Sequence, residues 1–101
     1  MSEKSWTDLL ADFVPDLAQL SRQDSEFMGR DTALPARVKL LMAMQLDAVF
    51  NHPKGVVSYG RRAQEAGATI EQIADAIRML RMFGGRPATA TGAEGLRELK
   101  T

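Results

Sequence analysis

The chain contains no cysteine. Disulfides, thiolate metal sites, iron–sulfur clusters and thiol redox chemistry are therefore excluded. A single histidine leaves a zinc site dependent on carboxylates, so no metal centre is expected. Charge of one sign is missing as well: thirteen basic side chains cancel thirteen acidic ones. Without a basic block there is no footprint for nucleic acid, because neutralising phosphates needs clustered Lys and Arg. No basic amphipathic face offers itself to a membrane surface. Long apolar runs are absent too. The richest stretch, residues 40–50, is broken by Gln45 and Asp47, well short of a bilayer span. The opening MSEKSWTD is polar and reads as neither signal peptide nor anchor. The expectation is a cytoplasmic protein without nucleic-acid or membrane partners. The 101 residues read as one domain, 1–101, with no repeat, low-complexity tract or flexible linker. A chain this short buries a limited core by itself, so partner subunits are expected.

What is present is helical periodicity. Nothing alternates with period two for long enough to make a sheet, and the fold class is all-α, a compact bundle of five to six helices. Ser5 or Thr7 caps a short turn through Phe13. Pro15 occupies the first turn of a second helix, where its missing N–H has no intrahelical role. That helix carries Leu17, Leu20 and Phe27, and Gly29 and Asp31 mark a loop. Pro35 opens a third helix reaching about Phe50. Pro53 opens a fourth, which stops at Gly67, a natural residue for a left-handed position. Thr69-Ile70-Glu71-Gln72 fits a capping box at the start of a fifth, ending near Gly84-Gly85. Pro87 starts a last, weaker helix through Leu99.

The helix faces carry more information than the composition. On residues 39–50, Lys39, Gln45 and Asp47 point in separate directions among apolar neighbours, the pattern of a helix buried nearly all round. Either it is central in a monomeric bundle, or its own chain covers one side and a second subunit another. The latter is preferred. On the fourth helix Val56, Tyr59, Gly60, Ala63 and Ala66 form the dry side, with Gly55 at its border. Lys54, Ser58, Arg61, Arg62 and Glu65 form the wet one. The small residues beside Tyr59 mean close helix packing or a pocket at the phenol. Tyr59 is either a core tyrosine with a satisfied hydroxyl or a proton donor and ligand anchor. On the fifth helix Arg81 falls on the stripe of Ile70, Ile73, Ala74, Ala76, Ile77, Leu80 and Phe83. A guanidinium there snorkels outward, pairs with a carboxylate such as Asp47, or anchors a substrate carboxylate. His52, just before Pro53, suits the start of the fourth helix. It is an ordinary loop residue or an imidazole placed as acid or base.

The stretch LPARVKLLMAMQLDAVFNHPKGVVSYGRRAQEAGATIEQIADAIRMLRMFGG resembles the carboxymuconolactone decarboxylase and alkyl hydroperoxidase D-like superfamily. RRAQEAGATIEQIADAI followed by MFGGRPA is its most specific part. The resemblance implies an all-α fold assembled as homo-trimers or homo-hexamers. In the peroxidase branch it implies Cys-x-x-Cys-x-x-x-His at the start of the active-site helix and a glutamate on the helix before. Those positions fall here on His52, Gly55, Tyr59 and Leu40, so the redox set is missing and cysteine-based peroxidase activity is excluded. The decarboxylase branch implies a cofactor-independent conversion of 4-carboxymuconolactone to an enol-lactone, using histidines and a carboxylate at the same helix start. Here that segment offers His52 and Lys54.

Two functional readings follow. In one, a cofactor-independent enzyme acts on a small acid or lactone, with Tyr59 donating a proton, His52 acting as base or donor, and Gly55, Leu40, Lys54 and Arg81 binding substrate. Lys54 and Arg62, with Arg81, are then a cationic corner for a carboxylate; otherwise they are solvated surface charges. In the other, the chain is a non-catalytic homo-oligomeric relative that binds a small ligand or an interaction partner.

Overall fold

Ser5 and Thr69 each do what a hydroxyl before a helix does, accepting from a backbone amide that has no intrahelical partner. In the computed structural model, which describes residues 3–101, Ser5 Oγ accepts from Asp8 N at 3.2 Å. Thr69 Oγ1 accepts from Gln72 N at 3.0 Å while Gln72 Oε1 accepts from Thr69 N at 3.0 Å, a complete capping box. The first two residues of the opening MSEKSWTD lie outside the described ones. Six α-helices and no strand occur among the described residues: α1 Trp6–Phe13, α2 Pro15–Met28, α3 Ala36–Val49, α4 Pro53–Glu65, α5 Ile70–Phe83 and α6 Gly85–Gly92. A 3-10 turn, Ala93–Leu96, follows α6. No helix among the described residues is long and apolar enough to cross a membrane.

The chain divides into two compact units, one running to Arg30 and the other Asp31–Thr101. The first is the α1–α2 hairpin. Val14 N donates to Leu10 O and Ala18 N to Val14 O, one on each side of the Pro15 joint. Only Ala18 is buried in this hairpin, and Trp6, Phe13, Leu17 and Leu20 are exposed.

The second unit holds the core. Asp31 Oδ1 accepts from Ala36 N at 2.8 Å and so caps α3. Ala36, Leu40, Met44 and Ala48, four residues apart, form its buried stripe. They meet Val56 and Ala63 of α4 and Ile73, Ala76, Ile77 and Leu80 of α5 in one apolar interior. Lys39, Gln45 and Asp47 of α3 find partners within the chain. Lys39 Nζ donates to Thr32 Oγ1 at 2.9 Å, Gln45 Nε2 to Ala76 O at 3.0 Å, and Asp47 faces His52. On α4, Gly60 is packed on the backbone of Gly95. The small residues beside Tyr59 thus serve close packing rather than a cavity at that point. The chain end is clasped by Gln64, whose amide donates to Lys100 O at 2.6 Å and accepts from Lys100 N at 2.8 Å.

α3 is covered by its own chain on one side only, with Met42, Leu46 and Val49 exposed along it and Phe50 at its end, so the alternative of a central helix enclosed within one chain does not hold. Met42, Gln45, Leu46 and Val49, with Met79, Leu80 and Phe83 of α5, border an open apolar groove of about 280 Å³. Other sequence expectations need correction. Ala66 and Ala74 are exposed rather than on dry faces. The last helix begins at Gly85, not Pro87, and gives way to the 3-10 turn at Gly92.

Candidate functional site

Two helix ends in the Asp31–Thr101 unit close in the same way. After α4, Gly67 is left-handed (φ 106), its N–H donates to Gln64 O, and Ala68 N donates to Ala63 O. After α3, Asn51 takes that role (φ 61), with Asn51 N donating to Ala48 O and His52 N to Asp47 O at 2.8 Å. This is the Schellman pattern, and asparagine is the side-chain-bearing residue best suited to it. It has a geometric consequence here. The chain doubles back so that His52 is tied to Asp47, five residues earlier. Thr91 Oγ1 of α6 donates to Asn51 Oδ1 at 3.0 Å and fixes the corner from outside. Asn51→Val is expected to cost about 2 kcal/mol through left-handed strain, and Asn51→Gly to stay within about 1 kcal/mol of wild type. Urea midpoints compare the two.

Proline at position 53 then starts α4, and the corner presents three groups together. His52 Nδ1 lies 3.8 Å from Asp47 Oδ1, with the imidazole 69% exposed and the Asp47 side chain 25% exposed. A Cβ on Gly55 would stand 1.9 Å from Asp47 Oδ2. The carboxylate therefore rests against the first turn of α4 in a notch that only glycine leaves open. That is also where the helix dipole favours an anion. Burial pushes the Asp47 carboxyl above the usual carboxylate range, and the neighbouring His52 works in the opposite direction.

This shift fixes the sign of a pH dependence. A carboxyl with a raised folded-state pKa holds its proton more tightly in the native protein than in the unfolded chain. Its favourable contribution is complete below the ordinary aspartate value of 3.8 and is lost as pH rises through the folded value. The stability of wild type relative to Asp47→Asn should fall across that window and level off above it, as read by urea unfolding at a series of pH values.

The other sequence-predicted site residues are placed as follows. Tyr59 is half-buried on α4, with the Arg62 guanidinium 5.6 Å from its ring centre, within cation–π range. No buried side-chain nitrogen or oxygen among the described residues lacks a partner. The Tyr59 hydroxyl has no partner among the described residues and is not buried, so it reaches solvent. Tyr59 lies seven residues beyond His52, on nearly the same helix face and about 10 Å along the axis. Lys54 is exposed beside His52, and Arg81 is exposed on α5. Neither makes an ion pair among the described residues. Asp47, offered from sequence as a partner for Arg81, faces His52 instead. Leu40 is 2% exposed and sits inside the core. The structure thus brings His52, Lys54 and Gly55 together at the α3–α4 corner, puts Tyr59 on the same helix, and sets Leu40 and Arg81 elsewhere. Sequence reasoning missed Asp47 as the partner of His52. The available signal was Asn51 between a helix end and Pro53, which joins residues five apart.

The family model described as Carboxymuconolactone decarboxylase family matches residues 15–98. No curated protein and no solved structure matches the chain.

Proposed function

The chain belongs to the carboxymuconolactone decarboxylase family and lacks redox cysteines, and from that premise we propose that it is a cofactor-independent enzyme of the decarboxylase or lactone and small-acid lyase type. The observation that carries this reading is the imidazole of His52 beside the half-buried carboxylate of Asp47 at the start of α4. An exposed base next to a carboxylate at a helix N-terminus is equipped for proton transfer. Lys54, two residues on and without an ion pair among the described residues, supplies a cation for a substrate carboxylate. In a decarboxylation the C–C bond to that carboxylate breaks and carbon dioxide leaves. The electron pair moves onto the conjugated lactone or acid, and a proton is delivered to carbon. Tyr59 and His52 are the donors this helix face provides, and solvent restores the proton.

The test is a panel of lactones and small carboxylic acids assayed for turnover. His52→Ala should lose about a hundredfold or more in kcat/KM, the range of a general acid or base, and Tyr59→Phe should lose about tenfold or more. A substrate turned over equally well by both variants rules out this site.

A second reading has its own support. Leu40 is apolar and enclosed where the peroxidase branch has a glutamate, and the α3–α5 face is apolar and uncovered. A non-catalytic homo-oligomer that binds a small ligand would keep both features. Binding of panel members without turnover favours it. Either way we propose that copies associate, as trimers or hexamers, through the face of Met42, Leu46, Val49 and Phe83. Light scattering at micromolar concentration should give a multiple of 11.1 kDa. Leu46→Glu should weaken assembly by about tenfold or more, since burying one leucine contributes roughly 1.5–3 kcal/mol. A monomeric wild type contradicts the proposal.

A further inference from the structure

His52 has two ring nitrogens, and the structure gives them different surroundings. Nδ1 looks toward Asp47 Oδ1 across 3.8 Å. The ring is otherwise mostly exposed, which leaves Nε2 on the solvent side. We infer that Asp47 is a positioning residue: it holds the proton of neutral His52 on Nδ1 and so keeps the Nε2 lone pair outward, as the working base of the site. The inference rests on the reading of His52 as acid or base and adds the group that sets which nitrogen acts.

Three independent features build this pair. The Schellman corner bonds His52 N to Asp47 O at 2.8 Å, so imidazole and carboxylate spring from backbone positions already joined. The notch at Gly55 receives the carboxylate, whose Oδ2 occupies the place of a residue-55 Cβ. The Thr91–Asn51 hydrogen bond restrains the left-handed residue on which the corner turns. A separation of 3.8 Å is that of an ion pair, beyond a hydrogen bond. Catalytic hydrogen bonds commonly lengthen in unliganded proteins and shorten when substrate arrives. An anionic acceptor on the Nδ1 side determines the tautomer of a neutral imidazole and stabilises the ring after Nε2 takes a proton. Against this stands Lys54, the cation two residues on, which is exposed and makes no ion pair among the described residues and so is screened by solvent.

His52 is the only histidine, so its ring nitrogens give a single set of signals in ¹⁵N-correlated NMR of the uniformly labelled full chain. At mildly alkaline pH, wild type should show mainly the Nδ1–H tautomer. Asp47→Ala removes the acceptor. Gly55→Ala keeps the carboxylate in the protein but drives it from its notch. In both variants the ratio of Nδ1–H to Nε2–H should fall by about threefold or more, the preference that a carboxylate facing Nδ1 at this distance imposes through its charge. Circular dichroism establishes that each variant is folded before it is scored. Mainly Nε2–H in wild type, or an unchanged ratio in the folded variants, overturns the inference. The readout needs no substrate. A panel without turnover removes the enzyme reading and leaves the tautomer result standing, whereas an unchanged tautomer removes the positioning role and leaves turnover to be explained otherwise.

Discussion

Gly60→Ala should lower the stability of the Asp31–Thr101 unit by about 2 kcal/mol. A Cβ at that position would stand 2.4 Å from the carbonyl oxygen of Gly95 and about as close to its Cα and carbonyl carbon, at 3.0 and 3.1 Å. All three are backbone atoms. The contact cannot be relieved by turning a side chain, and α4 must move away from the 3-10 turn. Overpacking of this kind costs about 3 kcal/mol at the upper end of the usual range. The better helix propensity of alanine offsets about 1 kcal/mol of it. Gly95→Ala makes the informative comparison. Its methyl group would meet Met44 Sδ at 2.8 Å, the flexible part of a thioether side chain that can adjust. Its cost should be smaller by about 1 kcal/mol or more. Urea unfolding midpoints order the two variants, and a Gly60→Ala protein as stable as wild type means that α4 does not lie on the turn as described. The effect reaches the candidate site, because Tyr59 precedes Gly60 and is carried by the same backbone.

Local signals account for most of the helical framework. The Thr69–Gln72 box, Pro15 and Pro53 at helix starts, and Gly67 at a left-handed position act within a few residues, so they are legible in one dimension. What escaped depends on groups distant in sequence. Gln45 looks like a polar interruption of an apolar helix until Ala76 O, thirty-one residues on, accepts its amide. The last helix was expected to run to Leu99. It gives way to the 3-10 turn after Gly92, where the chain lies so close to α5 that a Cβ would meet Leu80 Cδ1 at 2.3 Å, a contact that no local pattern records. Pro87 lies in the first turn of α6, where its missing N–H is harmless, and so does not mark the start. At the candidate site the helix carrying His52 and Tyr59 was legible, and so was the solvent-facing Lys54. The pairing of Asp47 was not, because it depends on asparagine taking the left-handed turn that glycine takes after α4. The uncovered face of α3, with Met42, Leu46 and Val49, is apolar like its covered face, and sequence periodicity does not distinguish the two.

Leu40→Glu should be the most damaging single change in the chain, with a loss of about 3–5 kcal/mol, the range for an uncompensated charge in a core. Domains of this size are typically stable by about 5–15 kcal/mol, so the variant will be partly unfolded or close to it. Leu40 is 2% exposed and shares its buried stripe with Ala36, Met44 and Ala48, none of which offers a side-chain hydrogen bond. A carboxyl placed there would be forced toward its neutral form. Its folded-state pKa would lie above the unfolded value of about 4.3. The penalty is therefore smallest below that value and grows as pH rises through the folded one. Unfolding at pH 4 and pH 8 should separate Leu40→Glu from wild type more widely at pH 8, while Leu40→Met stays within about 1.5 kcal/mol at both. A stable Leu40→Glu at pH 8 would mean that the position opens to water. The consequence for chemistry is direct. This is the position to which the family resemblance assigns the peroxidase glutamate, so restoring two cysteines and that acid would install the residues without the cavity they need. Leu40 is enclosed within the core, and what is accessible at the start of α4 is the corner of Asp47, His52 and Lys54, with the half-buried Tyr59 beyond it.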